Sequence, residues 1–441
     1  MPNHNDFKGY FVRWLSQLTL ALFFPSVAVA QTFTVLHAFS TPAVTGTNED
    51  GSNPGSGVIL FGNVLCATTA NGGRFGAGVT FSVNLDGTDF DAFCAFTNSP
   101  DVGNPRADLV SSGNTFFGAA SGGGINGTGA IFSGRTNSTV SVICSFTPLN
   151  PDNATNATGA NPADSIVLSA GILYGAAAAG GAFANGVLFS VATNGPTASI
   201  LHSFTPLDPP TGTNSDGAAP WGNLVLSGSL LFGTTSAGGA GGNGTIFSVN
   251  ANGSNFTTLY HFTAMDPLIG TNTDGAVPVA GLILSNGVLY GTTMAGGLGK
   301  SGTIFSIRTS GTGFTVLHHF TPIEAATRTN ADGANPVASM ILSGDTLFGT
   351  ASAGGVGATG VIFSVKTNGT EFKTLYHFTT TTSGTATNID GAFPVADLLL
   401  SGNLLYGTAF GGGSGGAGTI YSLSLPLPQT PSGLHVISDF P

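Results

Sequence analysis

The sequence predicts an all-β fold: a seven-bladed β-propeller with four antiparallel strands per blade, its ring closed by an N-terminal strand. Three observations carry this. A pattern built on proline recurs at Pro54, Pro105, Pro162, Pro220, Pro278, Pro336 and Pro394, and the last four intervals are all 58 residues. Each unit holds four apolar runs divided by turn residues, the mark of a repeated four-stranded sheet. The composition agrees: among 441 residues there are 68 Gly and 33 Phe, and only 7% are charged. Such a chain suits short strands and tight turns, and it lacks the charges that a helix bundle or coiled coil needs on its solvated faces.

One unit, Thr271 to Thr321, shows the elements in order. GLILS meets VLYGTT across Ser285-Asn286-Gly287, a hairpin signal because Asn-Gly accepts positive φ at low cost. The Gly-rich AGGLGKSG leads to GTIFSI, and a second short turn, RTSGTG, leads to FTVLHHF. A Gly doublet holds its column in all seven units, from Gly72–Gly73 to Gly412–Gly413, and another Gly opens each third strand, from Gly78 to Gly418. Both columns mark positive φ or close approach between units. The strands are apolar on both faces, as sheets packed between two neighbours must be. The seventh unit breaks at Pro426–Leu427–Pro428, whereas Phe33–Phe39 stands as an orphan fourth strand ahead of the first unit. That segment is expected to complete the last sheet and hide its edge. Its rival for the same column is Leu434–Phe440.

Residues 1–30 read as a signal peptide: Lys8 and Arg13, an apolar run Leu18–Phe24, then Ala28-Val29-Ala30 with cleavage after Ala30. The propeller then occupies residues 31–424, and a Pro-rich tail residues 425–441. The expected location is secreted or cell surface, and the expected state a monomer. After the signal peptide no apolar run reaches membrane-spanning length. A net charge of −11, from 10 basic and 21 acidic residues, excludes the clustered cations that nucleic-acid binding requires. Cys66, Cys94 and Cys144 are an odd number, each in a repeat column otherwise held by Tyr, Phe, His or Ser. They read as buried substitutions, not as a disulfide framework, a metal set or nucleophiles.

The series TNxDGAxP, LYGTT, AGG and GTIFS, from residue 48 to about 425, resembles the GloVer tandem repeat of exported bacterial "choice-of-anchor" proteins. The strand ending in a Gly doublet is also similar to kelch propellers, without their Tyr and Trp pattern. The resemblance implies export and leaves surface attachment and release both open; it supplies no activity and no catalytic residues. Units two and three depart from it, with Asp101–Val102 and Thr158–Gly159 where Asp-Gly is usual.

Alternation of the strands puts the long fourth-to-first connections and the Gly-doublet loops on one face, where function is expected. Those connections carry Asp50, Asp216, Asp274, Asp332 and Asp390, each two residues after an Asn. One reading is a Ca²⁺ or glycan site built from their oxygens. The other is an Asx turn, in which the Asp bonds its own downstream backbone. One carboxylate per loop falls short of the roughly six to eight oxygens that Ca²⁺ takes. Trp221, the one Trp after the signal peptide, either stacks on a sugar ring or plugs between blades. His261, His319 and His377 form one outer-strand column, and His37, His202 and His318 its neighbour. Matched sites on adjacent blades lie on the order of 15 Å apart, too far to share a metal. Arg74, Arg106 and Arg135 are the cations of the two divergent units, the one place where an asymmetric site is sought. No cofactor is expected beyond the Ca²⁺ alternative. The function expected is an exported, non-enzymatic binding or surface-interaction module for a glycan or an extracellular protein. Its rivals are a polysaccharide-active enzyme and a purely structural surface protein.

Overall fold

Residues 31–135, 139–162 and 166–426 are described by a computed structural model; the signal-peptide segment 1–30 and the rival closing strand Leu434–Phe440 lie outside them. From Thr32 to Leu425 the chain forms seven four-stranded antiparallel sheets, the blades of a propeller. Blade five is typical: Ile283–Ser285, Val288–Thr293, Thr303–Arg308 and Thr315–His319, from the innermost strand outward. Its first hairpin turns on Asn286 (φ 50°) and Gly287 (φ 74°), the two left-handed residues that an Asn-Gly turn supplies. Blade seven combines Leu399–Ser401, Leu404–Ala409 and Thr419–Ser424 with Phe33–Ala38 as its outer strand. The N-terminal strand therefore closes the ring, pairing Phe33 with Leu423 and Ala38 with Thr419.

Each of the seven innermost strands has only three residues. The residues just ahead of them bond sideways to other blades instead of along a ladder. Gly281 N donates to Ser339 Oγ (3.1 Å), Ser339 N to Asp397 Oδ1 (2.6 Å), and Asn223 Nδ2 to Asp397 Oδ2 (3.2 Å). Asn223 leads into blade four and Asp397 into blade seven, so this last bond crosses the centre of the ring.

Seven apolar clusters lie one at each blade interface. Between blades four and five it contains Phe232, Ile246, Phe262, Leu282, Leu289, Phe305 and Ile307. Ring closure makes an equivalent cluster between blades seven and one, with Phe39, Phe81, Tyr406 and Ile420. Burial on both faces accounts for strands with no polar side. In blade seven, Tyr421 replaces the Phe305 of blade five, and its hydroxyl is buried with no hydrogen-bond partner among the described residues.

The two most regular sequence signals are halves of one contact. Gly302 has φ +100°, and a Cβ there would lie 2.8 Å from Pro336 Cδ of the following blade and would strike Thr293 O. Gly244 meets Pro278 in the same way, and Gly418 meets Pro54 across the closure. The proline thus seats against a glycine that has no side chain to obstruct it, once per blade interface. Among the described residues no helix is long and apolar enough to cross a membrane.

Candidate functional site

The connections and the doublet loops do share a face. Ala276, in the connection entering blade five, bridges Ala295 in that blade's second-to-third loop, and Ala218–Ala237, Ala334–Ala353 and Ala392–Gly411 repeat the pairing. The short turns occupy the opposite face.

Each connection is built by an Asn and an Asp with separate tasks. Asn272 Oδ1 accepts the backbone N–H groups of Gly275 (3.0 Å) and Gly297 (2.8 Å). Its Nδ2 donates to Thr263 O (3.0 Å) and Gly275 O (2.7 Å), so one amide ties the preceding outer strand, the connection and the doublet loop together. The Asx turn is therefore made by the Asn. Asp274 points back to the preceding blade, accepting from Tyr260 Oη (2.8 Å), Thr263 N (2.9 Å) and Thr263 Oγ1 (2.5 Å). Asp390 does the same with Tyr376 and Thr379. At Asp50, Asp216 and Asp332 a histidine replaces the tyrosine: His37, His202 and His318 donate through Nε2 at 3.1, 2.9 and 2.9 Å. Each of these rings also stacks on a Phe of the next blade: Phe90, Phe256 or Phe372.

These contacts resemble a hydrolytic triad only in composition. Thr205 Oγ1 and His202 both donate to Asp216, so the carboxylate is the hub. In a triad the imidazole lies between hydroxyl and carboxylate and takes the hydroxyl proton. Here the ring is spent on the carboxylate. Burial pushes Asp50, Asp216 and Asp332 up, but the bonds from histidine and from Ser or Thr outweigh it and hold each below the usual carboxylate value. The five Asp sit in five different connections, and among the described residues no three His, Cys, Asp or Glu gather as a metal set.

The divergent units replace both members of a pair. Cys144 occupies the His/Tyr position, and the residue 14 further on is Thr158, whose Oγ1 accepts from Thr147 N (2.7 Å). Cys94 holds the same position one blade earlier. Cys66 lies in the Tyr290 column, and all three cysteines are free. Burial pushes the Cys66 thiol up to about 12 and raises Cys94 and Cys144 too, which keeps them protonated and inert.

His261, His319 and His377 face away from the carboxylates. Each accepts through Nδ1 a backbone N–H of its own doublet loop, from Ala240 (3.1 Å), Leu298 (3.3 Å) and Val356 (3.3 Å). Burial lowers all three below 6.5, with the neighbouring His318 adding to the effect at His319. The unfolded chain then takes up protons that the folded one refuses. Stability from these rings is complete above 6.5 and is lost as pH falls from there through their folded values. The low carboxylates contribute stability above 3.8, lost as pH falls through their own folded values. A thermal midpoint followed from about pH 8 to about pH 3 is expected to fall in two stages. His319→Gln should shrink only the upper one; a single stage near 4 would contradict the histidine assignment.

The remaining sequence candidates do not converge. Trp221 is 41% exposed, more than an inter-blade plug would be. Arg74 lies over Phe75 (5.8 Å) and Arg106 over Phe410 (5.6 Å), both on the connection face. Arg135 follows Ala130–Gly134 on the turn face, so the three do not form one site. What the sequence reading missed is an asymmetry of the faces. Of 13 exposed large apolar side chains, all but Leu60 and Ile200 lie in connections or doublet loops. Ile125, Leu298 and Val356 share the place after the Gly doublet, but Arg74, Ala182, Ala240 and Ser414 hold it in the other units, so the repeat does not mark it as apolar.

Fold and site together define a repeat-built propeller whose five recurrent Asp brace its blades and whose connection face carries most of its exposed large apolar side chains. The chain belongs to the Gloeobacter/Verrucomicrobia repeat family, whose model matches residues 21–213, 153–331 and 270–440. No curated protein matches it. Among solved structures it is similar to a chain of the nidogen/laminin complex, at 12% identity and a TM-score of 0.39, over 70% of this chain and 90% of that one. It is similar to the tricorn protease at 12% and 0.40, over 81% of this chain and 27% of the other. For TolB from Acinetobacter baumannii the values are 15% and 0.37, over 66% and 58%.

Proposed function

We propose that this protein is an exported, non-enzymatic interaction module that binds an extracellular protein through its connection face. The observation that carries the reading is the gathering of exposed apolar side chains there. Monomeric proteins rarely leave such side chains clustered on one face unless something covers them. The internal use of the five Asp, and of their His and Tyr partners, supports a scaffold over a polysaccharide-active enzyme. The signal-peptide pattern ending at Ala30 supports export.

A photo-crosslinking residue placed at Leu268 or at Asn286 in the producing cells tests this, because the two are exposed on opposite faces. A discrete adduct from position 268 and none from 286 is expected. Adducts from neither position, or equally from both, would leave a structural surface protein as the better reading. The exposure of Trp221 favours a second reading, a glycan stacked on the indole. That reading requires a soluble polysaccharide to raise the thermal midpoint of the protein and Trp221→Ala to abolish the rise.

A further inference from the structure

The connection face is uneven around the ring. From residue 136 to residue 299 the chain contains no Lys or Arg. This stretch supplies the outer strand of blade two, blades three and four and the start of blade five. Every charged side chain it contributes to the described structure is an Asp of the connection face: Asp152, Asp208, Asp216, Asp266 and Asp274. The short turns of blades three and four on the opposite face carry no charge at all. Over the whole ring, the described loops of the connection face hold thirteen Asp and Glu against four Lys and Arg. The turns of the other face, with the strand ends that feed them, hold five against four.

The same sector presents large apolar side chains. Leu268 is 93% exposed and Ile269 54%, with Phe183 and Trp221 also in solvent. Asp266 places the first two: its Oδ1 accepts the backbone N–H groups of Leu268 (2.8 Å) and Ile269 (3.2 Å), so a carboxylate sits at the root of the most exposed apolar pair. One repeat earlier, Asp208 holds Thr211 at the equivalent tip. Among the described residues, the one cation on this sector's connection face is Lys300, in the doublet loop of blade five, against the exposed carboxylates of Asp152, Asp208 and Asp266, so the sector keeps a net negative charge. An anionic or neutral partner would add repulsion or leave them uncompensated, whereas a cation brought by the partner pairs with them as the apolar groups are covered.

Building on the proposed use of the connection face, we infer that its sector from blade three to blade five docks a cationic polypeptide segment. The segment that fits carries Lys or Arg beside apolar side chains. Contact with Leu268, Ile269 and Trp221 supplies the buried area, and Asp208 and Asp266 select the sign of the partner.

The probe is a synthetic peptide alternating Lys and Leu, with a Glu/Leu counterpart, titrated into the full-length protein. The Lys/Leu peptide should bind and the Glu/Leu peptide should not. Affinity should fall at least about tenfold as ionic strength rises from about 0.05 to about 0.5 M. Asp208→Asn with Asp266→Asn keeps the acceptor oxygens and should weaken binding about fivefold. Asp86→Asn with Asp89→Asn, which removes two charges from the turn face, should leave it unchanged; thermal midpoints check that both pairs fold. Equal losses in the two pairs, or no loss in either, would overturn the inference as non-specific charge attraction. A loss confined to Leu268→Ser with Ile269→Ser would keep the face as a binding surface and reject the cationic partner. No loss there, and no crosslink at 268, would reject both. Glycan binding abolished by Trp221→Ala, without peptide binding, would also overturn it.

Discussion

A chain lacking Phe33–Ala38 is expected to lose its cooperative native state. The strand completes blade seven and touches both flanking blades. Phe33 stacks on Tyr376 of blade six (4.0 Å between ring centres) and on Tyr421 (5.2 Å), while His37 stacks on Phe90 of blade one (3.7 Å). Its removal bares the edge of Thr419–Ser424 and opens two interfaces at once. Truncating one packed Phe costs about 3 kcal/mol, against about 5–15 kcal/mol for a whole domain, so loss of the strand should exhaust most of that margin. Circular dichroism should show no sharp melting transition for the deletion, and Phe33→Ala should retain the transition at a lower midpoint. A deletion variant melting like the intact protein would mean that another segment fills the edge, and Leu434–Phe440 would be the first to test.

Asp274→Ala should be strongly destabilising. The carboxylate is 3% exposed and accepts three hydrogen bonds; its loss strands Tyr260 Oη and the N–H of Thr263. Leaving such groups unpaired costs about 1–3 kcal/mol each, so a loss of about 3 kcal/mol is expected in urea denaturation. Asp274→Asn, which keeps one oxygen and the volume, should lose less. Glu49→Ala, at an exposed site of the first connection, should stay within about 0.5 kcal/mol. Were Asp274→Ala to leave stability intact but abolish a Ca²⁺-dependent rise in melting, the carboxylate would belong to a metal site instead.

The architecture was legible because its causes repeat. The Pro and Gly columns record one contact made at every interface, and the doublet records one loop conformation. The closing strand could be found because Phe33–Phe39 matches a fourth strand and has no unit of its own. The division of labour between Asn272 and Asp274 was not legible. Two residues apart, both fit a turn, and only the fold shows that the carboxylate reaches the preceding blade. The central bonds were hidden for the opposite reason: their column reads Gly57, Asp108, Asn223, Gly281, Ser339 and Asp397 in the described units, so no single residue type holds it. The exposed apolar side chains left only a partial trace, Ile125, Leu298 and Val356 after the Gly doublet, because solvent imposes no residue type on a loop.

The junction of the two ends has a kinetic side. Thr32 and Ser424, hydrogen-bonded at 2.7 Å, are 392 positions apart. Closing a loop of that length costs on the order of 5 kcal/mol in chain entropy, whereas the hairpins inside each blade close over a few residues. The first strand to emerge from the ribosome must therefore wait for the last before it can pair. Until then the seventh sheet has an open edge, the kind of surface through which incompletely folded chains associate. Ring closure is the natural late event of folding, and the ladder between Phe33–Ala38 and Thr419–Ser424, inside blade seven, the natural first place for the finished ring to open.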